Sequence, residues 1–265
     1  MQTEQHNDDV IRVYWQTGCT SCLRTKEFLA ARGIPFLSRN VLADPSAFAE
    51  LARFKLRQVP IVTKGDQWAN GQILGDVAKL VGITDLNVQM LSTREMKQRL
   101  DQVLEGTRRF YAQVPEEHLG TQLPNRPRSY SELAYHVFNI VDAFLEEKDG
   151  TPLEYESYYR LPAPGDGRAE ILAYGADVHR RLNEWFAGRG RQCEWGTLAD
   201  VYYGRQSQHQ FLERTTWHSM QHARQLIWVL QRLGIEPDQP FDPALYAGLP
   251  MPEQVWEEDQ EKAVA

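Results

Sequence analysis

Cys19 and Cys22 lie three positions apart, and a third cysteine, Cys193, is far from both. Thiols at that spacing do one of two things. They cycle between dithiol and disulfide, or they supply half of a tetrahedral metal site. A zinc site of this kind wants two more ligands at similar spacing, and no second pair exists, so the redox reading leads and an inert pair is the other alternative. Three cysteines cannot form a disulfide framework in 265 residues. A second constellation is built from histidine. His218 and His222 are four apart, so on a helix they share a face. His136 falls on an earlier apolar stripe beside Leu133, Val137 and Ile140. Three imidazoles converging on a bundle interior would hold a metal ion and leave one position open for water or a thiol. The competing reading is three separate core histidines, each bonded to a neighbour.

The elements that must carry these residues differ along the chain. Up to residue 82, strand and helix signals alternate. Ile11 to Trp15 reads as a strand, Thr20 to Ala31 as a helix, and Pro35 to Val41 as a strand. Pro45 to Phe54 reads as a helix capped by Asp44, Val59 to Val62 and Gln67 to Ala69 as strands, and Leu74 to Val81 as a helix. That order predicts a small mixed sheet covered by helices. Cys19 then opens a helix directly after a strand, where free N–H groups and the helix dipole favour a thiolate. One turn along, Cys22 is placed to resolve a mixed disulfide.

From about Met90, long amphipathic helices are expected. Ser92 to Glu95, Ser129 to Glu132 and Ser207 to Gln210 match the capping-box pattern, each ahead of an apolar run of helical period, and Asp166 is the expected cap of a further helix. Four such helices predict a four-helix bundle. The loops before the third and fourth helices are long and rich in Tyr, including Tyr155, Tyr158, Tyr159, Tyr202 and Tyr203. These line a pocket mouth or cap the core. The expected division is a flexible 1–9, an α/β domain over 10–83, a linker over 84–91, an all-α bundle over 92–235 and an irregular tail over 236–265 with a solvated acidic end.

The stretch Val13-Tyr-Trp-Gln-Thr-Gly-Cys-Thr-Ser-Cys22, followed by Val59-Pro60, resembles the glutaredoxin family. The resemblance implies a thioredoxin-like fold, with Cys19 as nucleophile and Cys22 as resolver. It also implies a cis Pro60 that, with Val59, contacts the backbone of a thiol substrate. The chain departs from that family at Gln16, where a lysine is usual, and at Asn70-Gly-Gln-Ile-Leu74, which lacks the usual acidic pair. Glutathione would lose a charged partner at each place. The Cys-Thr-Ser-Cys tetrapeptide also resembles the arsenate-reductase and Spx branch, while the Val-Pro segment favours glutaredoxin.

Ser131-Glu-Leu-Ala-Tyr-His136-Val-Phe-Asn, Thr216-Trp-His218-Ser-Met-Gln-His222-Ala-Arg-Gln-Leu and Leu230-Gln-Arg-Leu-Gly-Ile235 resemble the DinB/YfiT-like metal-binding bundles. That resemblance implies His136, His218 and His222 as ligands of zinc or nickel. It also implies a transferase or isomerase that uses glutathione or another low-molecular-weight thiol.

The net charge is −7, from 29 basic and 36 acidic residues, which gives no electrostatic reason to expect a nucleic-acid or anionic-membrane partner. No apolar run approaches a membrane span, and Met1 to Val10 is polar and acidic, so a cytoplasmic protein is the default. Bundles of this type often pair, which leaves a homodimer open. The expected function is a thiol-dependent metalloenzyme with a fused thiol-disulfide module, its partners a small thiol and a small-molecule substrate. The alternatives are a thiol-disulfide oxidoreductase whose bundle only binds a client, and a non-enzymatic redox or metal sensor. The first of these predicts that a 1–85 fragment keeps the full reductase activity.

Overall fold

The computed structural model describes residues 10–86, 89–124 and 126–257. They fall into two compact units. One holds the described residues up to 86 together with 252–257, and the other holds 89–251.

In the first unit, β1 (Ile11–Trp15), α1 (Thr20–Ala30), β2 (Leu37–Asn40), α2 (Pro45–Ala52), β3 (Ile61–Lys64), β4 (Gln67–Asn70) and α3 (Leu74–Val81) follow the expected order. The sheet runs β2-β1-β3-β4. β1 is parallel to β2 and antiparallel to β3, and β3 is antiparallel to β4. Successive side chains of a strand face opposite ways, and β1 uses this to hold two layers of helix. Val13 packs with Phe28 and Leu29 of α1 and Val77 and Ala78 of α3. Its neighbour Tyr14 packs with Ala47 and Leu51 of α2. Asp44 caps α2 by accepting the Ser46 N–H, with Pro45 in the first turn. This is the thioredoxin-like arrangement expected from the sequence.

The acidic end does not behave as the expected solvated tail, at least as far as Glu257. The Glu257 carboxylate lies 2.5 Å from Lys26 Nζ of α1, and both side chains are buried. The Glu27 carboxylate accepts the backbone N–H groups of Glu253 (2.6 Å) and Gln254 (3.1 Å). The physical reason lies in α1, which buries Lys26 over the Trp15 ring, so that an inward-facing ammonium needs a counter-charge. The rest of the acidic run, from 258, lies outside the described residues, as does the expected flexible 1–9.

The second unit is a bundle of α4 (Thr93–Gln113), α5 (Tyr130–Lys148), α6 (Arg168–Ala187) and α7 (Gln208–Arg232). α7 packs between α4 and α5, and α6 closes the ring against the same two helices. The three capping boxes form as expected, at Ser92/Glu95, Ser129/Glu132 and Ser207/Gln210. Asp166 is not the cap of α6. Gly167 takes that place and Glu170 accepts its N–H, while Asp166 accepts the Ala163 N–H and closes the preceding turn. The segment after Gly234 is also engaged: Phe241, Leu245, Tyr246 and Leu249 pack with Val103, Val137 and Trp217 of the bundle. Two short hairpins, β5 (Gln122–Leu123) with β6 (Arg126–Ser129) and β7 (Leu198–Ala199) with β8 (Gln206–Ser207), lead into α5 and α7. Among the described residues no helix is long and apolar enough to cross a membrane.

Candidate functional sites

The thiol pair stands where β1 gives way to α1. Cys19 is the N-cap, in extended conformation, and its Sγ accepts the Cys22 N–H at 3.2 Å. The two cysteines are at disulfide distance, with Cα atoms 5.2 Å apart. Cys22 is fully buried and Cys19 is partly open. That asymmetry suits an attacking sulfur that meets substrate and a resolving sulfur that does not. The N–H donated to Sγ is a first-turn helix donor with no intrahelical partner, and it would stabilise a thiolate at Cys19 once the pair is reduced.

The Val59–Pro60 peptide is cis, and Pro60 is buried while Val59 is partly exposed. Gly71, within the Asn70-to-Leu74 segment, joins this loop to α1. Its N–H donates to the Pro60 carbonyl at 2.9 Å, and its own carbonyl accepts the Thr25 hydroxyl at 2.8 Å. A Cβ on Gly71 would stand 2.8 Å from Pro60 Cβ and 2.9 Å from Thr25 Oγ1, so only glycine fits. Arg24 adds a second tie, donating to the Gln72 carbonyl at 2.7 Å.

In the bundle, α5 brings His136 and α7 brings His218 and His222 to one place. One ring nitrogen from each lies within 4.8 Å of the others, and all three residues are buried. The rings of His136 and His222 are 4.6 Å apart, those of His218 and His222 4.9 Å. His218 Nε2 and His222 Nε2 are 3.2 Å apart. Two nitrogens held about 2.0–2.1 Å from one tetrahedral ion stand roughly 3.3 Å apart, so this spacing fits a shared metal. His222 Nδ1 lies 2.7 Å from Gln225 Oε1. A proton on Nδ1 donated there leaves the Nε2 lone pair free for a ligand, the usual outer partner of a metal-bound imidazole. His136 Nδ1 and His218 Nδ1 are also buried, with no hydrogen-bond partner among the described residues; on His218 this is the nitrogen opposite the shared Nε2, so an ion held there would not satisfy it. Burial pushes all three imidazoles well below their ordinary value, reinforced by nearby arginines, so all are neutral at pH 7, the form that binds metal.

The two long loops reach this site. A backbone bridge pairs Leu153 with Val201, and the Tyr202 N–H donates to the Leu153 carbonyl at 3.0 Å. Tyr155–Tyr159 forms one 3-10 turn, held by Asn139 Nδ2, which donates to the Ser157 carbonyl at 2.8 Å. Tyr158 thereby stands edge-on to His218, ring centroids 5.4 Å apart, and 6.5 Å from His136. Tyr202 packs against Tyr155, Tyr158 and Tyr203. Asn139 was missed in the sequence. Its signal was a polar residue three positions after His136, on the same buried face. The other described histidines stay outside the site. His179 is half-buried and bonded to Asp101 at 2.9 Å. His209 meets the Leu91 carbonyl at 2.9 Å, and His6 lies outside the described residues. Cys193 is a partly buried free thiol that burial pushes up, unlike a reactive one.

Residues 11–68 match the family model described as Glutaredoxin. No curated protein matches the chain. Among solved structures, a DinB-like protein from Bacillus cereus is 15% identical, the match covering 58% of this chain and 100% of that one at a TM-score of 0.46. A glutathione S-transferase from Xanthobacter autotrophicus is 16% identical, covering 89% of this chain and 98% of that one at a TM-score of 0.29. With a paired Cys19 and Cys22 opening the first helix and a cis Val59–Pro60 bond, the N-terminal part of the chain is a glutaredoxin-like domain.

Proposed function

We propose that the protein is a thiol-dependent metalloenzyme of transferase or isomerase type, in which the Cys19/Cys22 module handles the disulfides of the small thiol it uses. The observation that carries the reading is the buried three-histidine cluster, with two Nε2 atoms 3.2 Å apart. His136, His218 and His222 would hold zinc or nickel. The ion would lower the pKa of a coordinated thiol or polarise a carbonyl. The chain's own residues then have distinct tasks. Gln225 orients His222, and Asn139 holds the turn that sets Tyr158 against His218. At the other site, Cys19 attacks a disulfide of the small thiol, and one thiolate leaves. Cys22 then attacks Cys19 Sγ, releasing the second thiolate and closing the protein disulfide. Glutathione or another low-molecular-weight thiol is the expected currency, and Gln16, where the glutaredoxin pattern has a lysine, favours a thiol that does not need that charged partner. Tethering both activities on one chain raises the effective concentration of one near the other.

The test is elemental analysis of the full-length protein together with thiol transfer to an electrophilic acceptor. His218→Ala should remove metal and transfer activity together and leave thiol-disulfide exchange intact. Full transfer activity in a metal-free protein would sink the reading.

A further inference from the structure

Buried positive charge also stands beside the histidine cluster. Arg214, His218 and His222 stand at four-residue intervals on α7, so they form one stripe along its inner face. Arg128 comes from β6, just before α5, and it acts electrostatically on all three histidines; Arg214 acts on His218. Both arginines are deeply buried, Arg128 7% and Arg214 6% exposed. Arg128 Nη1, Arg214 Nε and Arg214 Nη1 have no hydrogen-bond partner among the described residues. The acid within reach of Arg128 is Glu132, but its Oε2 accepts the Ser129 N–H at 2.6 Å as part of the α5 cap. Around Arg214 the neighbours are aromatic. Its guanidinium lies 4.4 Å from the Tyr203 ring centroid, 5.7 Å from Trp217 and 5.9 Å from Tyr158. Aromatic faces steady the guanidinium without neutralising it, and its Nε and Nη1 stay available.

A buried guanidinium with no carboxylate hydrogen-bonded to it is costly to keep. Two of them converging on a three-histidine cluster are explained if the counter-charge arrives with the ligand. Arginine's planar fork matches a carboxylate, with two parallel N–H···O bonds. We propose that Arg128 and Arg214 form a carboxylate-binding subsite beside the histidine cluster, so that the molecule taken there is a small carboxylic acid. The subsite deepens the metalloenzyme reading and rests on it for placing a reacting atom beside the histidines. Its affinity for anions rests on the arginines alone. The carboxylate belongs either to the small thiol or to the electrophile it attacks.

Calorimetric titration of the full-length, zinc-loaded protein at constant ionic strength tests this. Succinate and its neutral isostere succinamide are the first probes, and they need no variant. Succinate should bind at least about tenfold more tightly, the worth of one charge-assisted hydrogen bond. Arg128→Met and Arg214→Met should each lose about tenfold in succinate affinity while keeping wild-type zinc content. Equal binding of succinate and succinamide, or binding of neither, overturns the proposal. So does unchanged succinate affinity in both variants. Mercaptosuccinate and cysteamine identify the source. If the carboxylate is the thiol's, mercaptosuccinate binds at least tenfold more tightly than either succinate or cysteamine. If it is the electrophile's, succinate matches mercaptosuccinate, and cysteamine binds alongside succinate without competing. A protein that takes up no zinc yet still prefers succinate upholds the subsite and removes the metal reading. A zinc-loaded protein with no preference does the reverse.

Discussion

The two sites solve the placing of reactive side chains in opposite ways. The thiol pair is local: four consecutive residues at one strand-to-helix junction, with the helix's own N–H supporting Cys19 Sγ. The main chain does most of the electrostatic work there, and it needs only a helix that starts at the right residue. The histidine site is assembled from two helices whose contributing positions are more than eighty residues apart, and it is cut into the bundle's core. Its polar groups are kept from water, so each must be satisfied by a neighbour or a ligand. A site at a helix end tolerates change in the body of its domain, whereas a site in a core shares its fate with the packing around it.

The comparison can be broken first at the sulfurs. Cys19→Ser should abolish reduction of a glutathione mixed disulfide, while Cys22→Ser should still accept one thiol and stall as the mixed species, detectable by mass. Neither should alter bound metal; a change in metal content would mean that the sites are not separate. His218→Ala comes next. Metal affinity should fall by more than about 100-fold, since loss of an outer partner alone typically costs about 10–100-fold. Competition with a chelator reads this, and the thiol-disulfide rate should stay within about twofold of wild type.

Gly71→Ala is a subtler probe of the first unit. Forcing a methyl against Pro60 and Thr25 should destabilise that unit by about 1–3 kcal/mol in urea unfolding and slow disulfide exchange, with no loss of metal. The gentlest lever is pH. Folding holds the three imidazoles well below the ordinary 6.5, so below that value the unfolded chain binds more protons than the folded one. Stability of the metal-free bundle should be full above about pH 6.5 and fall as the pH drops below it. Thermal melts of the metal-free protein from pH 8 to pH 5 would show it, and a flat profile would contradict the buried, neutral assignment.

Much of this was readable because it was written locally. A Cys-x-x-Cys after a strand, a Val-Pro after a turn and three Ser-x-x-Glu or Ser-x-x-Gln boxes each declare themselves within a few residues, and all three boxes form. Helical period was enough to put His136, His218 and His222 on inward faces. What escaped was written between segments. Asp166 resembles a cap, but a one-residue shift gives that role to Gly167, because Asp166 is already occupied by the Ala163 N–H. Gly71 has no side chain to advertise, and its importance lies in two backbone bonds and a missing volume. Arg128 sits on a four-residue strand whose inward face no periodicity could have revealed. The tyrosine turn over the histidines depends on a bridge between two loops, a pairing that neither loop encodes alone.

The return of residues 252–257 to α1 has a consequence for how the chain can be divided and made. The bond from the Glu253 N–H to Glu27 spans 226 positions. On a ribosome the first domain to emerge would therefore wait, with Lys26 lacking its carboxylate, until the whole bundle had been synthesised. A fragment that stops at residue 85 inherits that unfinished state, so low activity in it would report a missing seal rather than a missing partner domain. A faithful excision of the redox module would splice residues 252–257 back onto it.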